Sequence, residues 1–178
     1  MVPLHTKFPE LGETEMRVVT TIGDPYLPDG RYGFMECFCD APDCDCHRVL
    51  IHVISDNNPG NIYATINYGW KSKKFYANFL GHDNFLLSDD DLQGAFLDHL
   101  NPQSEYATIM LKIFINLLKD QSYVERLERH YHLFKGTLSQ KSKASNILNF
   151  KSKAKKKKKK EEKIGLDHPL VSKNIYAV

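Results

Sequence analysis

The sequence RYGFMECFCDAPDCDCHRVLIHVI, residues 31–54, contains all four cysteines of the 178-residue chain. The cysteines form two Cys-x-Cys pairs, and side chains two positions apart on a β-strand point to the same face. The four residues between the pairs, DAPD at 40–43, are typical of a turn, because proline fixes its own φ and aspartate can bond its own backbone. The stretch therefore predicts a β-hairpin with four sulfurs on one face, those of Cys37, Cys39, Cys44 and Cys46.

The spacing of these cysteines predicts a metal site at the tip of the hairpin. If the two arms pair symmetrically, Cys39 opposes Cys44 and Cys37 opposes Cys46. Directly opposed Cβ atoms in an antiparallel pair lie about 4.5–5.5 Å apart, and zinc takes a tetrahedron of thiolates at about 2.3 Å each. Because four protein ligands leave no open coordination position, we predict a structural zinc ion held by all four cysteines.

Other interpretations of the cysteine cluster remain open. The four thiols could form a disulfide (Cys39–Cys44 or Cys37–Cys46), act as redox-active thiols, or be inert. Clustered cysteines in a chain without a mark of secretion favour metal binding over a disulfide. Soft thiolates also suit Cu(I) or an iron–sulfur cluster. His47 follows Cys46 directly and would point to the opposite face of a regular strand, so it is not included in the ligand set.

The remainder of the amino-terminal half predicts further strands. Met16–Ile22 is rich in β-branched residues, and Ile62–Trp70 alternates between two faces. Within the hairpin, alternation puts five apolar residues on the side away from the sulfurs, where they would form a core layer. These are Phe34, Phe38, Val49, Ile51 and Val53.

Three helices are predicted between residues 88 and 136. Their starts are marked by a serine ahead of three aspartates, by an Asn-Pro pair and by a Ser-x-x-Glu capping box. These starts are Ser88, Asn101 and Ser122, and the last helix is predicted to end near Gly136. Leucine and phenylalanine at positions 92, 96 and 100 give the first helix an apolar side.

Strands followed by helices indicate an α+β fold rather than an alternating one. We predict an antiparallel sheet of about four strands over residues 16–80, with the metal-binding hairpin in it and three helices packed on one face. Residues 1–15 are predicted to be an extended lead-in. Residues 16–138 are predicted to form one domain, and residues 139–178 a lysine-rich tail.

The tail concentrates positive charge. Residues 141–163 hold eleven lysines and two glutamates, a net charge of +9, whereas the other residues carry 13 basic and 20 acidic side chains, a net charge of −7. Such a run is either a solvated tail or a contact for a polyanion, and it would bind nucleic acid without reading bases. The candidate nucleic-acid residues are Lys155, Lys156, Lys157, Lys158, Lys159 and Lys160.

The composition bears on where the protein acts. Hydrophobic residues make up 42% of the chain, which is enough for a buried core. The first sixteen residues lack the basic start and apolar run of a signal peptide. The chain has no run of eighteen apolar residues, so no membrane span is expected. We therefore expect a cytoplasmic protein.

Three segments carry a resemblance to a known family. DGRYGFME at 29–36, CDAPDCDCHRV at 39–49 and LNPQS at 100–104 resemble a family of uncharacterised prokaryotic proteins with this cysteine-rich hairpin. The resemblance covers roughly residues 24–119. It implies a metal-binding hairpin in a cytoplasmic protein and brings no established activity with it.

The sequence indicates a function class and no more. It contains no glycine-rich phosphate loop, nucleophile elbow or metalloprotease histidine pair, so whether it is an enzyme stays open. A closed thiolate site favours a small zinc-stabilised binding module of unknown partner. The alternatives are a thiol-based metal or redox sensor, and an enzyme with an unrecognised active site.

Overall fold

An antiparallel sheet of six strands forms the centre of the computed structural model, which describes residues 1–41, 43–80 and 93–138. The strands are β1 Val2–Pro3, β2 Arg17–Thr21, β3 Gly30–Phe38, β4 Arg48–Ser55, β5 Ile62–Gly69 and β6 Gly94–Leu97. The order is β1-β3-β4-β5-β6, and β2 pairs with β3 on the edge that β1 also uses. The predicted α+β class with an antiparallel sheet is confirmed, with six strands instead of about four.

Four α-helices lie in the described part of the chain. They are α1 Pro9–Thr14, α2 Lys73–Leu80, α3 Ala107–Leu117 and α4 at residues 121–138. Within the described residues, no helix is both long enough and apolar enough to cross a membrane.

The two long helices α3 and α4 cover one face of the sheet, here called the core face. The five residues predicted to form a core layer lie on this face without exposed surface. Phe34 of β3 stacks on Phe114 of α3 with ring centroids 5.9 Å apart, and Phe38 packs on Phe134 of α4 at 5.6 Å. Fully burying one such side chain stabilises the fold by roughly 1.5–3 kcal/mol, so this face provides most of the packing energy.

The prediction of a helix from Ser88 is wrong for residues 93–100, which the structure describes. Its start lies outside the described residues, but Gly94–Leu97 form the edge strand β6, with Phe96 opposite Asn67. Gly94 has φ +89, a conformation open mainly to glycine, and it begins the strand. The apolar residues at positions 92, 96 and 100 have the spacing of one face of a helix, but Leu100 is 97% exposed and does not pack in a core. Pairing with β5 decided the structure here, and a local pattern does not contain that information.

Two predicted helix starts are also displaced. Asn101-Pro102 does not begin a helix, because the side-chain amide of Gln103 bonds the backbone of Thr65 in both directions, at 3.1 and 2.9 Å. The helix α3 begins only at Ala107. At α4, Asp120 acts as the cap in place of Ser122, and its carboxylate accepts bonds from the Ser122 N–H and hydroxyl at 3.0 and 2.6 Å.

The predicted extended lead-in is folded and includes β1, a short 3-10 turn at Leu4–Thr6 and α1. It ends at a polar cluster within the core. His130 Nδ1 of α4 lies 2.7 Å from Glu36 Oε2 of β3, and both side chains are buried. Glu15, directly after α1, adds ion pairs to Arg126 and Arg129. These contacts link the lead-in to α4 and to the sheet.

Candidate metal centre

The cysteines lie in and beside a loop between β3 and β4. Because β3 ends at Phe38 and β4 begins at Arg48, residues 39–47 form this cysteine loop, in which only Pro42 lies outside the described residues. Cys37 opposes Leu50 in the sheet. The predicted symmetric pairing of Cys37 with Cys46 is therefore wrong, since the strands part before they reach the turn.

Three of the four predicted ligands come together. The sulfurs of Cys39, Cys44 and Cys46 all lie within 4.8 Å of one another. In a tetrahedral zinc site with Zn–S bonds of about 2.3 Å, the sulfurs are about 3.8 Å apart. A turn in which the Cys44 N–H bonds the Ala41 carbonyl at 3.3 Å brings the second Cys-x-Cys pair back toward Cys39. The three cysteines are thus positioned to hold a metal ion.

Cys37 has a different environment. It is buried in β3, and its Sγ lies 3.8 Å from His52 Nδ1 of the neighbouring strand. Among the described residues, one group of potential metal ligands lies close enough together to hold an ion. It consists of Cys39, Cys44 and Cys46 and does not include Cys37. Its role as a fourth ligand stays a prediction. All four cysteines are unpaired thiols in this structure.

The far end of the cysteine loop is fixed by two tyrosines. The Tyr131 hydroxyl donates to Asp45 Oδ1 at 3.1 Å and accepts from the His47 N–H at 3.3 Å. The Tyr76 hydroxyl donates to the His47 carbonyl at 2.7 Å. Gly69 allows this approach, since a Cβ there would lie 2.6 Å from the Tyr76 oxygen. These bonds attach the loop to α2 and α4.

His47 lies outside the group of three cysteines with mutual ligand distances, and it precedes β4 instead of lying on a strand. Its φ of +47 lies in the left-handed region, which is unusual for a residue with a Cβ. This conformation turns the imidazole toward Asp45, with Nε2 2.9 Å from the carboxylate. The ring lies 5.1 Å from that of Tyr131 and 6.1 Å from that of Trp70. His47 therefore packs as part of the loop anchor.

Burial opposes ionisation of two of the thiols. It raises the pKa of Cys46 to about 12, against a hydrogen bond from the Arg48 backbone that works in the opposite direction. Neighbouring Cys44 and Cys39 raise it further, because thiolates repel one another. Burial also raises the pKa of Cys37 to about 12. A bound cation reverses this balance, because a coordinating thiol is deprotonated.

A cavity of about 420 Å³ opens beside the three clustered cysteines. Its polar lining comes from β4, β5 and the segment after β6: Arg48, His52, Asn67, Asp98 and Asn101. The Arg48 guanidinium donates to Asn67 Oδ1 at 2.7 Å and lies over the Tyr76 ring at 4.4 Å from its centroid. The cysteine cluster therefore has one side toward a cavity whose lining mixes these polar groups with apolar surface from Met1 and Leu50.

Sequence reasoning did not find these cavity residues. Alternation along the strands was a usable signal for His52, which opposes Met35 and shares a face with Cys37. Asp98 and Asn101 gave no such signal, because the segment around them was predicted to be helical. The predicted nucleic-acid contact, Lys155–Lys160, lies outside the described residues and stays a prediction.

Comparisons of the chain with models of protein families, with curated proteins and with solved structures find no significant match.

Proposed function

We propose that Cys39, Cys44 and Cys46 bind one zinc ion and that the protein is a small, metal-stabilised binding module of the cytoplasm. The observation that carries this proposal is the mutual distance of the three sulfurs, all within 4.8 Å. Thiolates favour zinc over hard cations, although Cu(I) also accepts such a ligand set. The metal cation would also supply the positive charge that a cluster of thiolates needs.

The proposed ion would order the cysteine loop. The loop joins two central strands, and none of its described residues, 39–41 and 43–47, belongs to a strand ladder. A metal that joins residues 39, 44 and 46 closes it into a compact unit. Since ligands of this kind do not form a site in the unfolded chain, the free energy of metal binding adds to the free energy of folding.

The test of this proposal is elemental analysis of protein purified under reducing conditions. We expect about one zinc per chain and its loss in Cys44→Ser. The exposed Asp43→Asn change next to Cys44 is the matched control and should leave the zinc content unchanged. Protein without metal, with a mass two hydrogens lower per cysteine pair, would instead support a disulfide.

A thiol-based metal or redox sensor is the second candidate. The observation in its favour is that Cys39 and Cys44 are only partly buried, so oxidants and competing metals can reach them. Reactive thiols need access as well as ionisation. The sensor requires reversible oxidation of the cluster to change the fold or a binding activity, whereas a purely structural zinc site requires only that the metal stay bound.

The lysine-rich tail adds a proposed contact with nucleic acid. Its support is the net charge of +9 on residues 141–163. Electrostatic attraction of this type is independent of base sequence and weakens with salt. We also propose that the chain belongs to the prokaryotic family whose cysteine hairpin residues 24–119 resemble.

A further inference from the structure

The cavity beside the cysteine cluster suggests a property of the proposed zinc site, on which this inference rests. We propose that the fourth coordination position of the metal is open toward the cavity and takes an external ligand. The ligand class is a small polar molecule with a single anionic donor atom. The site would then be a ligand-binding centre as well as a structural one.

The position of Cys37 is the first reason. Its sulfur is next to His52 on the sheet and outside the group of three. The backbone of Cys37 is fixed by its pairing with Leu50, and its buried sulfur lies against His52 on the neighbouring strand. His52 lies at the cavity wall, and it too is outside the group. Among the described side chains, three protein ligands are therefore in place, and three protein ligands plus an exchangeable one is the pattern of open zinc sites.

The cavity itself is the second reason. All three clustered cysteines line it, so a ligand on the metal would extend into this space. Its volume of about 420 Å³ falls within the usual range for small-molecule pockets. A ligand held in this cavity could occupy the fourth coordination position, so the metal would not need a fourth protein ligand.

The charges around the cavity restrict the ligand class. Zn²⁺ with three thiolates carries one net negative charge, and two positive groups at the cavity outweigh it: the Arg48 guanidinium and the amino terminus of Met1, which acts on His52. That guanidinium is held in place by Asn67 and by stacking on Tyr76. Asp98 on the same wall would repel a second anionic group. The ligand that fits these charges has one anionic donor atom for the metal and neutral hydrogen-bonding groups elsewhere.

The experiment uses full-length protein with Co²⁺ in place of zinc, because thiolate-to-cobalt absorption reports the number of sulfur ligands. Azide serves as the small anionic probe. We expect three-thiolate intensity and a saturable shift of the visible cobalt bands on adding azide. Cys37→Ala and His52→Ala should keep both the spectrum and the azide response, whereas Cys44→Ala should lose absorption intensity.

The possible failures are distinguishable. One outcome is a wild-type spectrum of four-thiolate intensity that azide does not shift, with an azide response only in Cys37→Ala. This outcome would overturn the open coordination position, but it would still support the zinc site. A wild-type spectrum of three-thiolate intensity that azide shifts only in His52→Ala would also overturn the open position and would name His52 as the fourth ligand. The absence of thiolate-to-cobalt absorption in wild-type protein would overturn the proposed zinc site, and with it this inference. The wild-type titration decides between these outcomes even where a variant does not fold.

Discussion

On the core face of the sheet, Phe34, Phe114 and their neighbours have no exposed surface and pack ring against ring. A short distance along the same strands, the cysteine loop is held by hydrogen bonds from the side chains of Tyr131, Tyr76 and Lys135. Its described residues belong to no strand ladder. A net hydrogen bond contributes about 1 kcal/mol, and a buried aromatic side chain contributes more. From this comparison we predict that the core folds without a metal, whereas the proposed metal is what orders the loop.

The largest expected effect is on the core side of this comparison. Phe114→Ala should lower the free energy of unfolding by about 3–5 kcal/mol, because it removes a buried ring and leaves a cavity. The loss should be the same with and without zinc. Denaturant unfolding measures it, and Ile115→Ala on the same helix, at a side chain that is 45% exposed, is the control with a much smaller loss. A strong dependence of the Phe114 effect on zinc would mean that core and loop are one cooperative unit.

Removal of the metal should have the next largest effect. Chelation of the zinc should lower the free energy of unfolding by roughly 3–4 kcal/mol if free zinc had been several hundredfold above its dissociation constant. Hydrogen exchange should then speed up in residues 39–47 and around Tyr131, and stay slow in the centres of β3, β4 and β5. Equal acceleration in all of these strands would remove the distinction between the two regions.

The attachment of the loop to α4 should make a smaller contribution. Tyr131→Phe keeps the ring but removes the bonds to Asp45 and His47, at a cost of about 1 kcal/mol for each. We expect faster release of zinc to a chelator, because the loop is less well held. Tyr26→Phe, at a side chain that is 72% exposed, is the control and should change neither quantity. Unchanged zinc release in Tyr131→Phe would show that the metal alone orders the loop.

Replacement of Lys155–Lys160 by serines should have the smallest effect on the free energy of unfolding, namely none, because a run of lysines has no apolar pattern with which to form a core. It should abolish weak binding to duplex DNA at low salt. In the wild-type protein, each neutralised phosphate contributes about −0.9 to the slope of log affinity against log salt. Binding that survives in the serine variant would place the nucleic-acid contact outside the lysine run.

The same two regions show what the sequence could predict. Alternation along Phe34–Phe38 and Val49–Val53 is a local property, so the core face and four of the strands were predicted correctly. The path of the cysteine loop was not, because it depends on Tyr131, which lies 84 residues from His47 in the chain. The three-sulfur cluster follows from that path. The spacing of the cysteines identified them as metal-binding candidates, whereas only the structure shows that three of them cluster and that Cys37 lies apart.

The segment after β5 was mispredicted for a related reason. Gly94–Leu97 and Gln103 complete the hydrogen bonds of β5, and partners distant in sequence leave no periodic signal. As a consequence, the sequence pattern does not indicate that Asp98 lines a cavity beside the cysteines.

The most direct measurement is X-ray absorption at the zinc edge of the purified protein. The predicted result is three sulfur neighbours at about 2.3 Å and one lighter atom, with one sulfur fewer in Cys44→Ser and no change in Cys37→Ala. Zinc surrounded by lighter atoms alone, or a sulfur count that does not respond to Cys44→Ser, would contradict the assignment of the metal to Cys39, Cys44 and Cys46.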